Sequence, residues 1–302
     1  MICKDRVVAV TGAGRGLGRA HALEFARQGA LVVVNDLGVA RDGTGGTSSG
    51  PAEEVVKEIE ALGGRAVAST HDIATEDGAA ALVALALEAF GRLDVLVNNA
   101  GFLRDRMLVN LSEEEWDAVV RVHLKGHFLP LKHAGRYWRA ESKAGRPVDA
   151  RVVNTSSGAG LLGSVGQGNY SAAKAGIVGL TLVASAELGR YGVTVNAIAP
   201  SARTRMTEEV FAATMAPPAE GGFDAMAPEN VSPLVVWLGS AQSRHVTGRV
   251  FEAEGGRICL MDPFRHGPAI DRGARWDPAD VGPAVRGLLA EAPEPEPVYG
   301  ST

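Results

Sequence analysis

The stretch that decides the fold is "VVAVTGAGRGLG", residues 7–18. A short β-branched run ends in a cluster of glycines, and "LGRAHALEFARQG" (17–29) follows with apolar residues at helical spacing. Glycines at such a turn let the backbone approach a pyrophosphate closely, and the helix N-terminus offers free N–H groups and a favourable dipole. The stretch therefore predicts a strand, a phosphate-binding turn and a helix.

Strand and helix patterns alternate from this point to the segment "GRVFEAEGG" (248–256). The second strand, "ALVVVND" (30–36), is apolar throughout, as expected for a parallel strand covered on both faces. We therefore expect an α/β doubly wound Rossmann fold, with about seven parallel strands and helices on both faces. The sequence predicts one domain over residues 1–256 and a C-terminal extension over 257–302, with the last dozen residues disordered.

The composition is that of an ordinary globular protein. Of the 302 residues, 46% are hydrophobic and 22% charged, and the net charge is −5 with no basic run, so nucleic acid is not an expected partner. We see no signal-peptide pattern and no apolar run of roughly 18–20 residues, which predicts no membrane partner and a cytoplasmic location. Cys3 and Cys259 fit a reduced protein without disulfides, and no residue cluster suggests a metal site.

Asp36 bears on the choice of nucleotide. It ends the second strand, 18 residues after Gly18, where a carboxylate can accept hydrogen bonds from ribose hydroxyls and would repel a 2′-phosphate. Arg15 in the turn is an opposite indication, because a cation there could pair with that phosphate. Asp36 as a simple solvated strand end is a further alternative. We give Asp36 the greater weight and expect NAD rather than NADP.

The segment "NYSAAK" (169–174) contains a tyrosine and a lysine one helical turn apart. This spacing alone does not distinguish an active site from two polar residues on a helix. The ordinary pKa of tyrosine, about 10, is too high for an efficient base near neutral pH, and a nearby ammonium group lowers it. In an active site, Tyr170 would exchange a proton with the substrate oxygen, and Lys174 would assist it electrostatically.

These motifs occur together in the order typical of the short-chain dehydrogenase/reductase family: "TGAGRGLG", Asp36, "HDI" (71–73), "NNAG" (98–101), Ser157 and Tyr170-x-x-x-Lys174. The sequence resembles that family over about residues 5–256, with Ser157 at the family's spacing of 13 residues before Tyr170. The resemblance implies that Ser157 orients the substrate oxygen and that Lys174 also holds the nicotinamide ribose. The implied cofactor-binding residues are Gly12, Arg15, Gly16, Leu17, Gly18, Asp36, Asp72, Ile73, Asn99, Ala100, Gly101, Tyr170, Lys174 and Pro200.

Two positions depart from the family pattern. Many members carry an asparagine in V-N-x-x-G that helps to hold a water beside the lysine, whereas this chain has "VHLKG" with His123. His123 could take part in the same relay, since imidazole both donates and accepts, or it could only pack. Pro200 precedes serine where the family often has glycine, which leaves the carboxamide contacts open. The segment 204–227 reads as a mobile lid over an apolar substrate.

A closer resemblance lies in "VVVNDLG", "NNAGFLRDRM", "RVHLKGHF", "GQGNYSAAKAG" and "NAIAPSARTRMT". These segments are similar to the (3R)-hydroxyacyl-CoA dehydrogenase unit of peroxisomal multifunctional β-oxidation enzymes and its free-standing bacterial relatives, which also act on 17β-hydroxysteroids. The resemblance implies hydride transfer between NAD and a secondary alcohol or ketone, with a 3-hydroxyacyl thioester or hydroxysteroid as the leading substrate.

Two alternatives remain at this point. One is a tailoring dehydrogenase or ketoreductase for a polyketide or terpenoid alcohol. The other is a nucleotide sensor without turnover, which would have no need of Ser157, Tyr170 and Lys174. Family members commonly assemble through two long helices, here at about 112–143 and 168–190, so we also expect a homodimer or homotetramer.

Overall fold

The computed structural model describes residues 1–39, 45, 47–204, 218, 221–262 and 264–300. Eight strands within these residues form one sheet: β1 (Val7–Thr11), β2 (Leu31–Asn35), β3 (Arg65–Ser69), β4 (Val95–Asn98), β5 (Ala150–Thr155), β6 (Val193–Ser201), β7 (Val250–Glu254) and β8 (Arg257–Met261). Their order is β3-β2-β1-β4-β5-β6-β7-β8. Strands β1 to β7 pair in parallel throughout, and β8 pairs antiparallel to β7. The predicted doubly wound fold is confirmed, with one antiparallel strand added.

Helices cover both faces of the sheet: α1 (Gly16–Arg27), α2 (Gly50–Ala61), α3 (Glu76–Phe90), α4 (Glu113–Val120), α5 (Gly126–Lys143), α6 (Gly158–Leu162), α7 (Gly168–Leu188), α8 (Ser232–Gly239) and α9 (Pro278–Glu291). A π-helical turn spans Arg121–Lys125, and short 3₁₀ turns span Leu108–Asn110, Gly189–Tyr191, Pro228–Asn230 and Ala241–Ser243.

The core has two layers because alternate residues of each strand point to opposite faces. Val8 and Val10 of β1 contribute to the layer under α1, α2 and α8, where Phe25 is fully buried. Val7 and Ala9 contribute to the layer under α3, α5 and α7. In that second layer the buried Trp138 donates from Nε1 to the carbonyl of Leu93 at 2.7 Å. Apolar residues on both faces explain the continuous hydrophobic runs of the inner strands.

The helical region predicted at about 112–143 is not one regular helix. It begins with a capping box, in which Ser112 accepts from the N–H of Glu115 and the Glu115 side chain accepts from the N–H of Ser112. The π turn at Arg121–Lys125 then inserts an extra residue into the helical ladder between α4 and α5. Such turns are frequent at functional sites, and this one contains His123.

A crevice opens at the carboxyl ends of β1 and β4. The strand order reverses at β1, because β2 lies on one side of it and β4 on the other. The crossover helices therefore leave these two strand ends on opposite faces, and ligands of open α/β sheets bind at such switch points. The glycine turn after β1 and the "NNAG" segment at the end of β4 both lie here.

The C-terminal region adds to the sheet. Gly255, with φ of +53°, makes the turn from β7 into β8, so β8 belongs to the segment that the sequence assigns to an extension after residue 256. Helix α9 buries none of its residues. The last dozen residues, for which the sequence predicts disorder, include Val298 and Tyr299, which contact the main body of the fold.

One segment among the described residues, Gly168–Tyr191, is long and apolar enough to cross a membrane by length and composition alone, with 33% of its most apolar window buried. The statement that no apolar run reaches spanning length was therefore too strong. Core helices of α/β folds share this length and composition, and this helix packs against β6 and the π turn.

Candidate active site

The turn between β1 and α1 is built so that only glycine fits at several positions. Gly12 and Gly16 have φ of +63° and +52°, which side chains disfavour. A Cβ atom on Gly18 would lie 2.1 Å from the carbonyl oxygen of Gly12. A Cβ atom on Gly14 would lie 2.8 Å from Oδ2 of Asp36. The turn is therefore closely packed, with its backbone exposed to the crevice.

The N-terminus of α1 is suited to hold an anion. Its N-cap residue, Arg15, has extended backbone angles, and among the described residues no side chain caps the helix. The first N–H groups of a helix have no partner within it, and the helix dipole favours negative charge there. The turn and the helix end together fit the pyrophosphate of a dinucleotide.

Asp36 is bonded to this turn rather than simply solvated. Its Oδ2 accepts from the N–H of Gly14 at 2.9 Å, and its Oδ1 accepts from the N–H of Gly38 at 2.7 Å. An ionised carboxylate offers about four acceptor positions. The half-buried side chain therefore keeps acceptor capacity toward the crevice while it holds the turn in place.

Thr11 joins the two strand ends that form the crevice. Its hydroxyl accepts from the N–H of Asn99 at 2.9 Å and from the N–H of Ala100 at 3.1 Å. In return, Asn99 Nδ2 donates to the carbonyls of Thr11 and Gly12 at 3.0 and 3.2 Å. The phosphate turn and the "NNAG" segment are thus fixed against each other by four hydrogen bonds.

The far wall of the crevice is formed by residues after β3. Asp72 accepts from the N–H of Ala74 at 2.9 Å through Oδ1, and its Oδ2 pairs with Arg121 of the π turn. Ile73 beside it is 4% exposed. The wall therefore combines an apolar side chain with a carboxylate that is held in a defined orientation.

The structure brings most of the predicted cofactor residues into one cleft: Gly12, Arg15, Gly16, Leu17, Gly18, Asp36, Asp72, Ile73, Asn99, Ala100 and Gly101. Tyr170, Lys174 and Pro200 are not part of that lining. Sequence reasoning missed other lining residues: Asn35, Leu37, Val39, Phe102, Arg121 and Val122. Asn35 and Leu37 flank Asp36, and Phe102 follows Gly101. Their position next to predicted residues was the sequence signal that could have identified them.

Ser157 and Tyr170 lie together at the carboxyl end of β5. Ser157 is the N-cap of α6 and accepts from the N–H of Ala159 at 3.2 Å. Its side chain neighbours the Tyr170 phenol. Burial raises the pKa of Tyr170 to about 12, while the neighbouring Ser157 hydroxyl acts in the opposite direction. Tyr170 is therefore a neutral phenol near neutral pH and can donate a proton.

Lys174 lies beside Tyr170, as predicted, and is itself deeply buried. Its side chain is 2% exposed, its Nζ donates to the carbonyl of Thr155 at 2.7 Å, and burial lowers its pKa to about 7. The Nζ atom lies 5.4 Å from the centroid of the Tyr170 ring. Because burial disfavours the lysine charge itself, desolvation outweighs any lowering of the Tyr170 pKa by Lys174.

His123 packs on the other side of Tyr170. The two rings meet edge to face, with centroids 5.1 Å apart. Burial lowers the pKa of His123 to about 3, and the charge of Lys174 lowers it further in the same direction, so the imidazole is neutral. Its Nε2 lies 2.7 Å from Phe102 O, whereas its buried Nδ1 has no hydrogen-bond partner among the described residues.

The remaining predicted residues are less tied to the cleft. Pro200 is half-buried near the end of β6, paired with Ala253 of β7. Thr204 lines the cleft, but Arg205 and most of the predicted lid at 204–227 lie outside the described residues. Within the described part of the chain, no group of three or more His, Cys, Asp or Glu side chains is placed to hold a metal ion.

A glycine turn at the switch point of a doubly wound sheet, next to a Ser–Tyr–Lys set, defines an oxidoreductase that uses a nicotinamide nucleotide on CH–OH groups. The profile of the short chain dehydrogenase family matches residues 6–214. The chain belongs to that family, and the predicted family and type of reaction are confirmed.

Several proteins with named activities are similar in sequence. The chain is 47% identical to a hydroxyacyl-CoA dehydrogenase of Mycobacterium tuberculosis, covering 98% of this chain and 92% of that protein. It is 45% identical to peroxisomal multifunctional enzyme type 2 of Mus musculus over 84% of this chain but 32% of that enzyme. A solved short chain dehydrogenase from Mycobacterium avium superimposes with a TM-score of 0.88 at 62% identity, over the whole of both chains.

The buried Lys174 predicts a specific dependence of stability on pH. Its pKa is about 7 in the folded protein and the ordinary 10.5 in the unfolded chain. Between these values the unfolded chain binds more protons, so this group makes stability rise with pH. From pH 7 to 9, the free energy of unfolding of the wild type should increase by about 2 kcal/mol relative to Lys174→Met. Urea unfolding of both proteins at the two pH values measures this difference, and parallel pH profiles would contradict it.

Proposed function

We propose that the protein is an NAD-dependent dehydrogenase that interconverts a 3-hydroxyacyl thioester, or a hydroxysteroid, with the corresponding ketone. The observation that carries the reaction type is the placement of Ser157 beside the Tyr170 phenol, with Lys174 held one helical turn away. The thioester is supported by the similarity to the mycobacterial hydroxyacyl-CoA dehydrogenase.

The bound nicotinamide would accept hydride from the alcohol or supply it to the ketone. Ser157 would hold the substrate oxygen through its hydroxyl, which already lies against the Tyr170 phenol. In the reducing direction, neutral Tyr170 would donate its proton to that oxygen. In the oxidising direction the deprotonated form of Tyr170, the phenolate, would accept the proton, and because the pKa of Tyr170 is high this direction should become faster as pH rises.

Lys174 and His123 would support Tyr170 in different ways. With its pKa near 7, Lys174 can exchange a proton near neutral pH, and its Nζ would also hold ribose hydroxyls. His123, neutral at this pH, would fix the Tyr170 ring through their edge contact. Its unpartnered Nδ1 leaves it one polar atom for a proton relay.

The preference for NAD rests on Asp36. The spare acceptor positions of its carboxylate can take hydrogen bonds from both ribose hydroxyls, and its charge opposes a 2′-phosphate. Arg15 is exposed at the same turn and favours the phosphate. We weight Asp36 more because Gly14 and Gly38 hold it in place, whereas the long arginine side chain must be ordered first.

We also propose a homodimer or homotetramer in the cytoplasm, with residues 1–256 as the catalytic domain. The assembly is supported by exposed apolar side chains on the helices that the sequence singles out. Trp116 on α4, Phe128 on α5 and Val183 on α7 are all exposed. A second copy covering these helices would remove that apolar area from water.

The first test of the function is Tyr170→Phe, which keeps the ring and removes the proton. Oxidation of 3-hydroxyacyl-CoA and 17β-hydroxysteroid substrates, followed by NADH absorbance, should fall by at least about a hundredfold. The dissociation constant for NAD should stay within about threefold of wild type, since the hydroxyl loses little binding energy. Tyr191→Phe, in the 3₁₀ turn that follows the same helix, is the matched control and should retain wild-type turnover.

Comparable turnover of Tyr170→Phe and wild type would mean that the proton is handled elsewhere in the cleft. Absence of turnover by the wild type on every substrate, with tight NAD binding, would favour a nucleotide sensor. Turnover of small cyclic alcohols, without turnover of the thioesters or the hydroxysteroids, would favour a tailoring dehydrogenase.

The second test concerns the choice of nucleotide. Asp36→Asn keeps an oxygen that can accept from one of the two backbone N–H groups but removes the negative charge. The ratio of dissociation constants, NADP over NAD, should fall by at least about tenfold, since one charge no longer faces the 2′-phosphate. Fluorescence titration with both nucleotides measures it. A wild type that binds NADP more tightly would show that Arg15 dominates.

A further inference from the structure

The C-terminal segment that carries Val298 and Tyr299, the tail, is joined to the main body by backbone hydrogen bonds. The N–H of Val165 donates to the carbonyl of Tyr299 at 2.9 Å, and the N–H of Tyr299 donates to the carbonyl of Gly163 at 3.3 Å. Ser164 and Tyr299 thereby form an isolated parallel bridge. The segment has returned to the sheet after β8 and the exposed helix α9, so these bonds fix its position.

The bridge lies in the stretch that connects Ser157 with Tyr170. Helix α6 begins directly after Ser157 and rests on α7 at the level of the lysine: a Cβ atom on Gly160 would lie 2.6 Å from Cβ of Lys174. The stretch that contacts the tail therefore adjoins the whole proposed catalytic set. Ser157 and Tyr170 are at its two ends, and its Gly160 lies against Lys174.

The side chains of the tail lie on glycines of this stretch. A Cβ atom on Gly158 would be 2.9 Å from Cε2 and Oη of Tyr299. A Cβ atom on Gly163 would be 3.3 Å from Cγ1 of Val298. Gly158 follows Ser157 directly, so the Tyr299 ring lies one residue from the serine proposed to hold the substrate oxygen. Any larger residue at Gly158 would push the ring away.

Both tail side chains are partly exposed to solvent. Val298 is 42% exposed and Tyr299 is 45% exposed. Burial of the remaining part raises the pKa of Tyr299, and the carboxylates of Glu252, Glu254 and Glu296 raise it further. The exposed surface is thus a neutral aromatic ring beside an aliphatic side chain, which suits contact with an apolar group.

We propose that Tyr299, with Val298, is a specificity-determining residue that forms a wall of the substrate cleft beside Ser157 and contacts the apolar part of the substrate beyond the reacting carbon. This inference rests on the proposed function. The tail would then take part in substrate recognition. A short acyl chain would not reach the wall, whereas a long acyl chain or a steroid ring system would.

The test compares acetoacetyl-CoA with 3-oxohexadecanoyl-CoA, both reduced with NADH by the intact chain. Tyr299→Ala should raise KM for the long substrate by about tenfold, the scale of one lost aromatic contact, and leave KM for the short substrate and the NADH dissociation constant unchanged. Tyr299→Phe keeps the ring and should behave as wild type. Leu289→Ala, on the exposed face of α9, is the matched control.

Deletion of residues 298–302 should reproduce the Tyr299→Ala pattern and expose the N–H of Val165 to hydrogen exchange. A purely structural role would lower kcat equally for both substrates, and this result, or an unchanged ratio of the two KM values, would overturn the proposal. The proposed function fails separately: in that case wild type turns over neither the two thioesters nor a 17β-hydroxysteroid, and the wall proposed here has no substrate and falls with it.

Discussion

The site depends on the hydrogen bonds that the hydroxyl of Thr11 accepts. This hydroxyl accepts from two backbone N–H groups at the end of β4, and Asn99 returns two bonds to the carbonyls at the end of β1. These bonds span the switch point of the sheet, where no strand ladder holds the two ends together beyond residue 98. Buried backbone groups must be paired, so Thr11 satisfies donors that the end of the ladder leaves free.

Everything else in the cleft is placed relative to this junction. The glycine turn follows Thr11 directly, and Asp36 holds the same turn from the end of β2. On the other side, the chain after Asn99 leads to Gly101, whose missing Cβ makes room for His123: a Cβ atom there would lie 2.1 Å from the imidazole. His123 in turn contacts Tyr170. The nucleotide cleft and the catalytic tyrosine are thus linked through a short series of contacts.

The fold and the nucleotide turn could be predicted from the sequence because they follow from local patterns: apolar runs, glycines at a strand end, and a carboxylate at the next strand end. What the sequence did not give depends on burial. Burial of the phenol raises the pKa of Tyr170, burial of the ammonium group lowers the pKa of Lys174, and spacing along a helix does not report desolvation. The π turn around His123 and the bridge from Ser164 to Tyr299 are long-range or irregular features with no periodic signal.

The central claim, that the Thr11 junction builds the nucleotide cleft, is tested most directly by the affinity for NAD of Thr11→Val and Thr11→Ser. Valine keeps the shape and removes the acceptor, whereas serine keeps the acceptor. The account predicts that NAD binds at least about tenfold more weakly to the valine variant, from the loss of roughly two buried hydrogen bonds, and as in wild type to the serine variant. Equal affinity of the valine variant and wild type, in calorimetric titration of folded protein, would contradict it.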